Sequence, residues 1–122
     1  MAYVLVVDDE EAIRRLLIRW LSSWGYESRE AVSADDALVQ MQADPASIML
    51  CDVMMPGHDG IWLAEQVRQR WPQTPVIMAS SAQDMETVLK MRKHGAVDYV
   101  TKPFGRELLL QALRRASEKL HS

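Results

Sequence analysis

Five residues stand where an apolar run gives way to polar chemistry. Asp8 and Asp9 follow the run Tyr3 to Val7, Asp52 follows Ile48 to Cys51, Ser80 follows Val76 to Ala79, and Lys102 follows Ala96 to Thr101. Together they are three carboxylates, a hydroxyl and an ammonium. Carboxylates a few ångströms apart repel one another unless one is protonated or a cation lies between them. An all-oxygen donor set with no histidine or cysteine beside it suits Mg²⁺, which takes a few carboxylates and keeps several waters. Taken singly, each residue has a plainer reading. The acids at 8–11 read as the solvated, favourably charged start of a helix, a reading that holds best for Glu10 and Glu11. Asp52 alone reads as a turn or helix cap, and Lys102 as a surface lysine. It is their joint occurrence at the ends of apolar runs that points to a site.

The elements that must position them follow from periodicity. Short apolar runs alternate with amphipathic segments, the pattern of parallel strands and covering helices. Tyr3 to Val7 reads as a strand buried on both faces. Ile13, Leu16, Leu17, Trp20, Leu21 and Trp24 then form one helical stripe that Gly25 ends. Tyr26 to Ala31 is the second strand. Ser33 caps a helix running to about Ala43, with Asp35 and Asp36 in its first turn and Asp44-Pro45 as the stop. Ile48 to Cys51 is the third strand. After the turn Met55-Pro56-Gly57-His58, Asp59 caps a helix that carries Leu63, Ala64 and Val67 inward and ends at Trp71-Pro72. Val76 to Ala79 is the fourth strand, Met85 to His94 a helix stopped by Gly95, and Ala96 to Thr101 the fifth strand. A last helix is expected to bury Leu108, Leu109, Ala112, Leu113, Ala116 and Leu120. Five strands and five helices joined by short connections imply right-handed crossovers and a doubly wound α/β sheet. In such sheets ligands bind beyond the carboxyl ends of the strands, where the five polar residues lie.

The 122 residues amount to a single domain spanning 1–122, and 48% hydrophobic with 25% charged residues excludes disordered, collagenous and membrane classes. The net charge of −3 hides an asymmetry: residues 1–60 hold eleven acids against four arginines, and residues 61–122 hold six acids against ten lysines and arginines. An acidic total argues against nucleic-acid binding as the main task. The start lacks the basic region of a signal peptide and no apolar run approaches a membrane span, so the chain reads as cytoplasmic with no membrane partner. Cys51 is the single cysteine, which excludes an internal disulfide and reads as core. The methionines read mostly as packing. His58 has no second histidine or cysteine nearby and reads as an exposed loop residue. Trp62 falls off its helix's apolar stripe and shares a face with Glu65, Gln66 and Gln69, so its ring is expected to be exposed, either incidentally or as a contact anchor.

Four segments, in this order and at these spacings, resemble the receiver domain of bacterial two-component response regulators. They are Val6-Val7-Asp8-Asp9-Glu10, Asp52-Val53-Met54-Met55-Pro56-Gly57-His58-Asp59-Gly60, Pro75-Val76-Ile77-Met78-Ala79-Ser80, and Gly95 through Tyr99, Lys102, Pro103 and Phe104. The resemblance covers the whole chain. It implies the flavodoxin-like strand order 2-1-3-4-5 and makes Asp52 the aspartate phosphorylated by a sensor histidine kinase or histidine phosphotransfer protein. It further implies that Asp9, Asp52 and the backbone carbonyl of Met54 bind Mg²⁺ directly, with Asp8 acting through a coordinated water. Ser80 and Tyr99 match the switch pair of the family and Lys102 its phosphate-binding lysine, whose bond to Pro103 is often cis. A downstream protein or a fused output domain is the partner so implied. The output surface is expected on the fourth helix, fifth strand and fifth helix, with an acidic or mixed-charge protein partner facing Lys90, Arg92, Lys93 and His94.

The chemistry favours the same assignment. Phosphoryl transfer to a carboxylate joins negatively charged groups and needs fixed positive charge, which a divalent cation and Lys102 supply. Departures from the common pattern are few. Ser80 stands where threonine is commonest, Ser81 where alanine is usual, and Val97 replaces the first of an acidic pair, which argues against dimerisation through the fourth and fifth helices. The alternative is a receiver-like binding or scaffolding domain without phosphotransfer, but such a domain should have lost an acid, the hydroxyl or the lysine. A flavodoxin-like cofactor carrier is disfavoured because four acids follow the first strand where a phosphate loop would be. The resemblance also implies that the variable positions nearest the phosphoryl group are Met54 and Ala82, two residues after Asp52 and Ser80, and neither offers a strong hydrogen bond to an attacking water. Slow self-dephosphorylation is therefore expected.

Overall fold

A computed structural model of the chain describes residues 2–81 and 85–120. The strands are β1 (Val4–Val7), β2 (Ser28–Ala31), β3 (Ile48–Asp52), β4 (Val76–Ser80) and β5 (Ala96–Thr101). The helices are α1 (Glu11–Ser23), α2 (Ala34–Ala43), α3 (Gly60–Arg70), α4 (Met85–Lys93) and α5 (Arg106–Leu120). The sheet is parallel throughout, in the order β2-β1-β3-β4-β5. Every residue of β1, β3 and β4 is buried, as unbroken apolar runs require. The edge strand β2 begins at Ser28 and not at Tyr26, because it has one neighbour and only Ala31 is buried.

Side chains alternate to two cores. Leu5, Val7, Met49, Cys51 and Met78 meet α2, α3 and α4, while Val4, Val6, Leu50, Ile77 and Ala79 meet α1 and α5. The expected caps form: Ser33 Oγ accepts the Asp36 N–H at 3.0 Å, and Asp59 Oδ1 accepts the Trp62 N–H at 2.8 Å. One irregularity interrupts the alternation. The β4–β5 register passes from Val76↔Ala96 to Ile77↔Asp98, so Val97 is an extra residue, a bulge. Ala96 lies in the core with α3 and α4, and beyond the bulge Tyr99 packs on that same core while Val100 packs on the α5 side.

Several expected core positions differ. On α1 the buried side chains are Arg14, Leu17 and Leu21, and Leu16 is 38% exposed. Leu16 walls an open apolar groove with Ile13, Trp20, Pro103 and Phe104, one helical step off the buried line. Trp20 and Trp24 pack against the core and tilt against each other at 6.4 Å. On α5, Leu109, Ala112, Leu113 and Ala116 are buried, but Leu108 is 53% exposed because it sits about 100° off that stripe. On α4, Val88 and Met91 are buried and Leu89 faces outward. The side chains of Met85 and Leu120, and all of Ala82, lie outside the described residues. Trp62 is half-buried against the core, its ring stacked on His58 at 3.6 Å and 9°. The exposed ring expected from periodicity is thus covered by a neighbour from the preceding loop. Cys51 lies in the core, with its thiol donating to the Asp52 carbonyl at 3.2 Å.

Candidate functional site

Asp8, Asp52, Ser80 and Lys102 lie at the carboxyl end of the sheet as the strand termini dictate. Asp8 is 2%, Asp52 6% and Ser80 1% exposed, whereas Asp9 is open to solvent. Lys102 links two of the acids: its Nζ lies 3.3 Å from Asp8 Oδ2 and 3.2 Å from Asp52 Oδ1. It is carried there by the short stretch after β5, where its N–H donates to the Ser80 carbonyl at 2.7 Å and its bond to Pro103 is cis. Asp8 and the phosphoacceptor candidate Asp52 therefore meet around one ammonium, which lies 94 positions along the chain from Asp8, while Asp9 stays outside this contact.

Asp8 is held from several sides. Its N–H donates to the Ala31 carbonyl at 3.2 Å, and its Oδ1 accepts the Glu10 N–H at 2.9 Å. Its carbonyl accepts from Arg14 Nη1 at 2.8 Å. Periodicity gave Arg14 no role, yet it is buried; the only signal was a charge two places before the Leu16-Leu17 pair. Glu10, read as part of a solvated helix start, also belongs to the acidic cluster. Asp8, Asp9 and Glu10 each offer a carboxylate oxygen within 4.8 Å of the others. This all-oxygen set fits a hard divalent cation such as Mg²⁺.

Electrostatics sharpen the picture. Burial pushes the Asp52 carboxyl above the ordinary aspartate range; the Lys102 ammonium opposes this, Asp8 adds to it, and a Met54 backbone hydrogen bond opposes it again. For Lys102, burial works against the charge, but the Asp52 and Asp8 carboxylates outweigh it and raise the ammonium above its usual range. Cys51, directly before Asp52, has its thiol pushed well up by burial and then by Asp52 and Asp8. Such a thiol is inert, as its core position implies. Among the described residues, no buried side-chain nitrogen or oxygen is left without a hydrogen-bond partner.

The turn after β3 is tight. Gly60 donates its N–H to the Val53 carbonyl at 2.9 Å, and a Cβ there would lie 2.2 Å from the Asp52 carbonyl oxygen. Met54 beside it is 71% exposed. His58 is exposed, as expected, and meets Asp35 Oδ1 at 3.2 Å. Ser80 and Tyr99 share a face, for Tyr99 pairs with Met78, two residues before Ser80 on β4.

A buried aspartate between a lysine and an acidic turn, at the carboxyl end of a 2-1-3-4-5 sheet, defines a receiver. Residues 4–114 match the family described as the response regulator receiver domain, and the chain belongs to that family, the signalling domain of two-component systems. The chain is 34% identical over 119 residues to the nitrogen assimilation regulatory protein NtrX of Azorhizobium caulinodans, covering 96% of this chain and 26% of that protein. It is 39% identical over 119 residues to the transcriptional regulatory protein ResD of Bacillus subtilis, covering 94% of this chain and 49% of that one. The crystallised receiver domain of NtrX from Brucella abortus aligns with a TM-score of 0.89 at 35% identity, over 94% of this chain and 98% of that one. Vibrio cholerae chemotaxis protein CheY4 aligns with a TM-score of 0.89 at 32% identity, over 95% of this chain and 98% of that one. The chain thus spans about a quarter of the length of its NtrX-type relatives. Among the described residues, no helix is long and apolar enough to cross a membrane.

Proposed function

We propose that residues 1–122 form one receiver domain that takes a phosphoryl group onto Asp52 and passes the event to the surface of α4, β5 and α5. The observation that carries this reading is the Asp52 carboxylate itself, 6% exposed and 3.2 Å from the Lys102 ammonium beside the Asp8–Glu10 turn. An Asp52 oxygen attacks the phosphorus of a phosphohistidine on a sensor kinase or phosphotransfer protein. The P–O bond forms as the P–N bond breaks, and the electron pair leaves on the imidazole nitrogen. Lys102 stabilises charge on the phosphoryl oxygens, and burial of Asp52 strengthens that attraction. Asp9, Asp52 and the Met54 carbonyl would hold Mg²⁺, with Asp8 acting through a water. The ion, when bound, offsets the negative charge of the reactants. The chain serves as a phosphoacceptor and not as an enzyme acting on a separate substrate.

The Ser80 hydroxyl, drawn toward a phosphoryl group on Asp52, vacates space on the face it shares with Tyr99. The ring moves inward and α4 shifts with it. The basic residues of α4 fit an acidic or mixed-charge protein partner or a fused output domain. One relative is named as the DNA-binding transcriptional regulator NtrC of Salmonella typhimurium, and this chain covers 24% of it. The expectation of no direct nucleic-acid contact is accordingly held for this segment alone. The exposed thioether of Met54 positions no water, which supports a long-lived acyl phosphate; its companion Ala82 lies outside the described residues.

The test is intact mass after incubation with acetyl phosphate and Mg²⁺. One phosphoryl increment is expected, absent in EDTA and absent in Asp52→Asn. An increment that persists in either sample excludes this reading.

A further inference from the structure

We infer that Arg14 is a positioning residue: its guanidinium clamps the Asp8–Glu10 turn to the edge strand β2 and so sets the geometry in which that turn presents its carboxylates. Arginine is almost never fully buried unless it is paired, and Arg14 is 9% exposed with two partners. Nη1 donates to the Asp8 carbonyl at 2.8 Å, and Nε donates to Glu30 Oε1 at 3.0 Å. Glu30 lies on β2, where its carbonyl accepts from Gln40 Nε2 of α2 at 2.6 Å. The clamp therefore runs from α1 through the turn to β2 and α2.

The grip on a carbonyl is what gives Arg14 its reach. The Asp8 carbonyl and the Asp9 N–H belong to one rigid peptide plane. Fixing the oxygen of that plane fixes where the Asp9 chain begins, although the Asp9 carboxylate itself is exposed and has nothing else to orient it in the described contacts. The Asp8 N–H and Oδ1 are held by backbone groups, at Ala31 and Glu10, and its Oδ2 by Lys102. Among the described residues, Arg14 alone supplies a side-chain bond to the carbonyl. The planar fork holds both of its bonds in one geometry, which a single lysine nitrogen on a flexible stem does not.

Charge and geometry predict opposite signs, and this makes the inference testable. Arg14 as a mere cation beside an acidic turn would weaken the binding of a divalent ion, so its removal would tighten it. Arg14 as a clamp strengthens ion binding, so its removal would loosen it. The consequence for the ion rests on the proposed reading that this turn holds Mg²⁺; the clamp on the backbone does not.

The experiment titrates Mg²⁺ by calorimetry, with no phosphodonor, into the wild type, Arg14→Lys, Arg14→Gln and Leu113→Ala. Both Arg14 variants should bind Mg²⁺ about tenfold or more weakly, the size of effect that supporting partners of metal ligands have. Leu113→Ala, a core truncation on α5, should lower Tm and leave Mg²⁺ affinity unchanged. The inference is overturned if Arg14→Gln binds more tightly while Arg14→Lys matches wild type, or if Leu113→Ala weakens binding as much as Arg14→Lys. A parallel arm measures amide hydrogen exchange without metal. The Glu10 amide should exchange at least about tenfold faster in Arg14→Lys, with Leu50 and Ile77 unchanged. A wild type that binds no Mg²⁺ removes the metal reading, and the Glu10 amide then decides the clamp by itself. An unchanged Glu10 rate overturns the inference.

Discussion

The strands β1, β3 and β4 and the edge strand β5 are built to different standards. All fourteen residues of β1, β3 and β4 are buried, whereas β5 buries only Ala96 and Val100 of its six. The flanking helices differ in the same way. α3 buries Gly60, Leu63, Ala64 and Val67, while α4 is held, among its described side chains, by Val88 and Met91. The acids and the hydroxyl thus stand on the part that resists movement, and the proposed switch surface is the part with least to lose by moving. Segments with many buried contacts resist displacement, and segments with few open most readily. Under the proposed function, the carboxylates and the hydroxyl belong to the dense region and the output surface to the thin one, with Lys102 reaching across from the end of β5.

The largest effect that would break this division is on chemistry. Lys102→Ala should slow phosphorylation by acetyl phosphate by roughly 10²–10³, the cost of one charge-stabilising donor, while lowering stability far less. A protein that melts much lower and still phosphorylates at the wild-type rate would place Lys102 in the scaffold. Next comes Gly60→Ala, whose methyl would meet the Asp52 carbonyl oxygen at 2.2 Å and Met78 at 2.8 Å. Urea denaturation should show a loss of about 3 kcal/mol, because backbone atoms on the dense side cannot yield. Full stability in that variant would show the β3–α3 turn to be as soft as the edge.

Hydrogen exchange sharpens the contrast at intermediate size. The amides of Val88 to Lys93 should exchange about tenfold or more faster than those of Leu63 to Val67. Equal protection of the two helices would remove the argument for α4 as the moving element. The smallest effect concerns pH. Asp52 keeps its proton to higher pH in the folded protein than in the unfolded chain, so the stability linked to it is complete below the unfolded pKa and is lost as pH rises through the folded one. At neutral pH the ionised carboxylate is a burden, and Asp52→Asn should raise the metal-free Tm by about 3 °C, a gain that vanishes near pH 3. A melting temperature that falls at neutral pH would mean that the bond to Lys102 outweighs burial.

Much of this was legible because polar residues end apolar runs. Asp8, Asp52, Ser80 and Lys102 could be placed at one end of the sheet from the alternation of strands and helices alone. Their mutual contacts could not, since the 3.2 Å and 3.3 Å bonds of Lys102 depend on how far the chain travels after β5. Arg14 escaped notice because hydropathy treats every arginine as solvated, whereas a guanidinium with two acceptors can replace water. Leu16 and Leu108 misled for the opposite reason: an apolar side chain at the flank of a stripe fits the pattern whether or not a neighbour reaches it. Periodicity leaves Trp62 exposed, because part of its cover is His58, a loop residue with no periodicity to betray it.

The bulge at Val97 makes the face of Tyr99 a matter of counting. In an uninterrupted strand, residues an odd number of places apart point to opposite sides, and Ala96 and Tyr99 are three apart. One supernumerary residue reverses that parity, so the ring lies over the α3 and α4 side, on the face it shares with Ser80. A single-residue deletion there would keep every side chain implicated in phosphoryl transfer and still turn the ring toward α5. If Tyr99 acts as the proposed switch, insertions and deletions before it act as a frame on the signal: the domain would be written with the same letters and read on the wrong face.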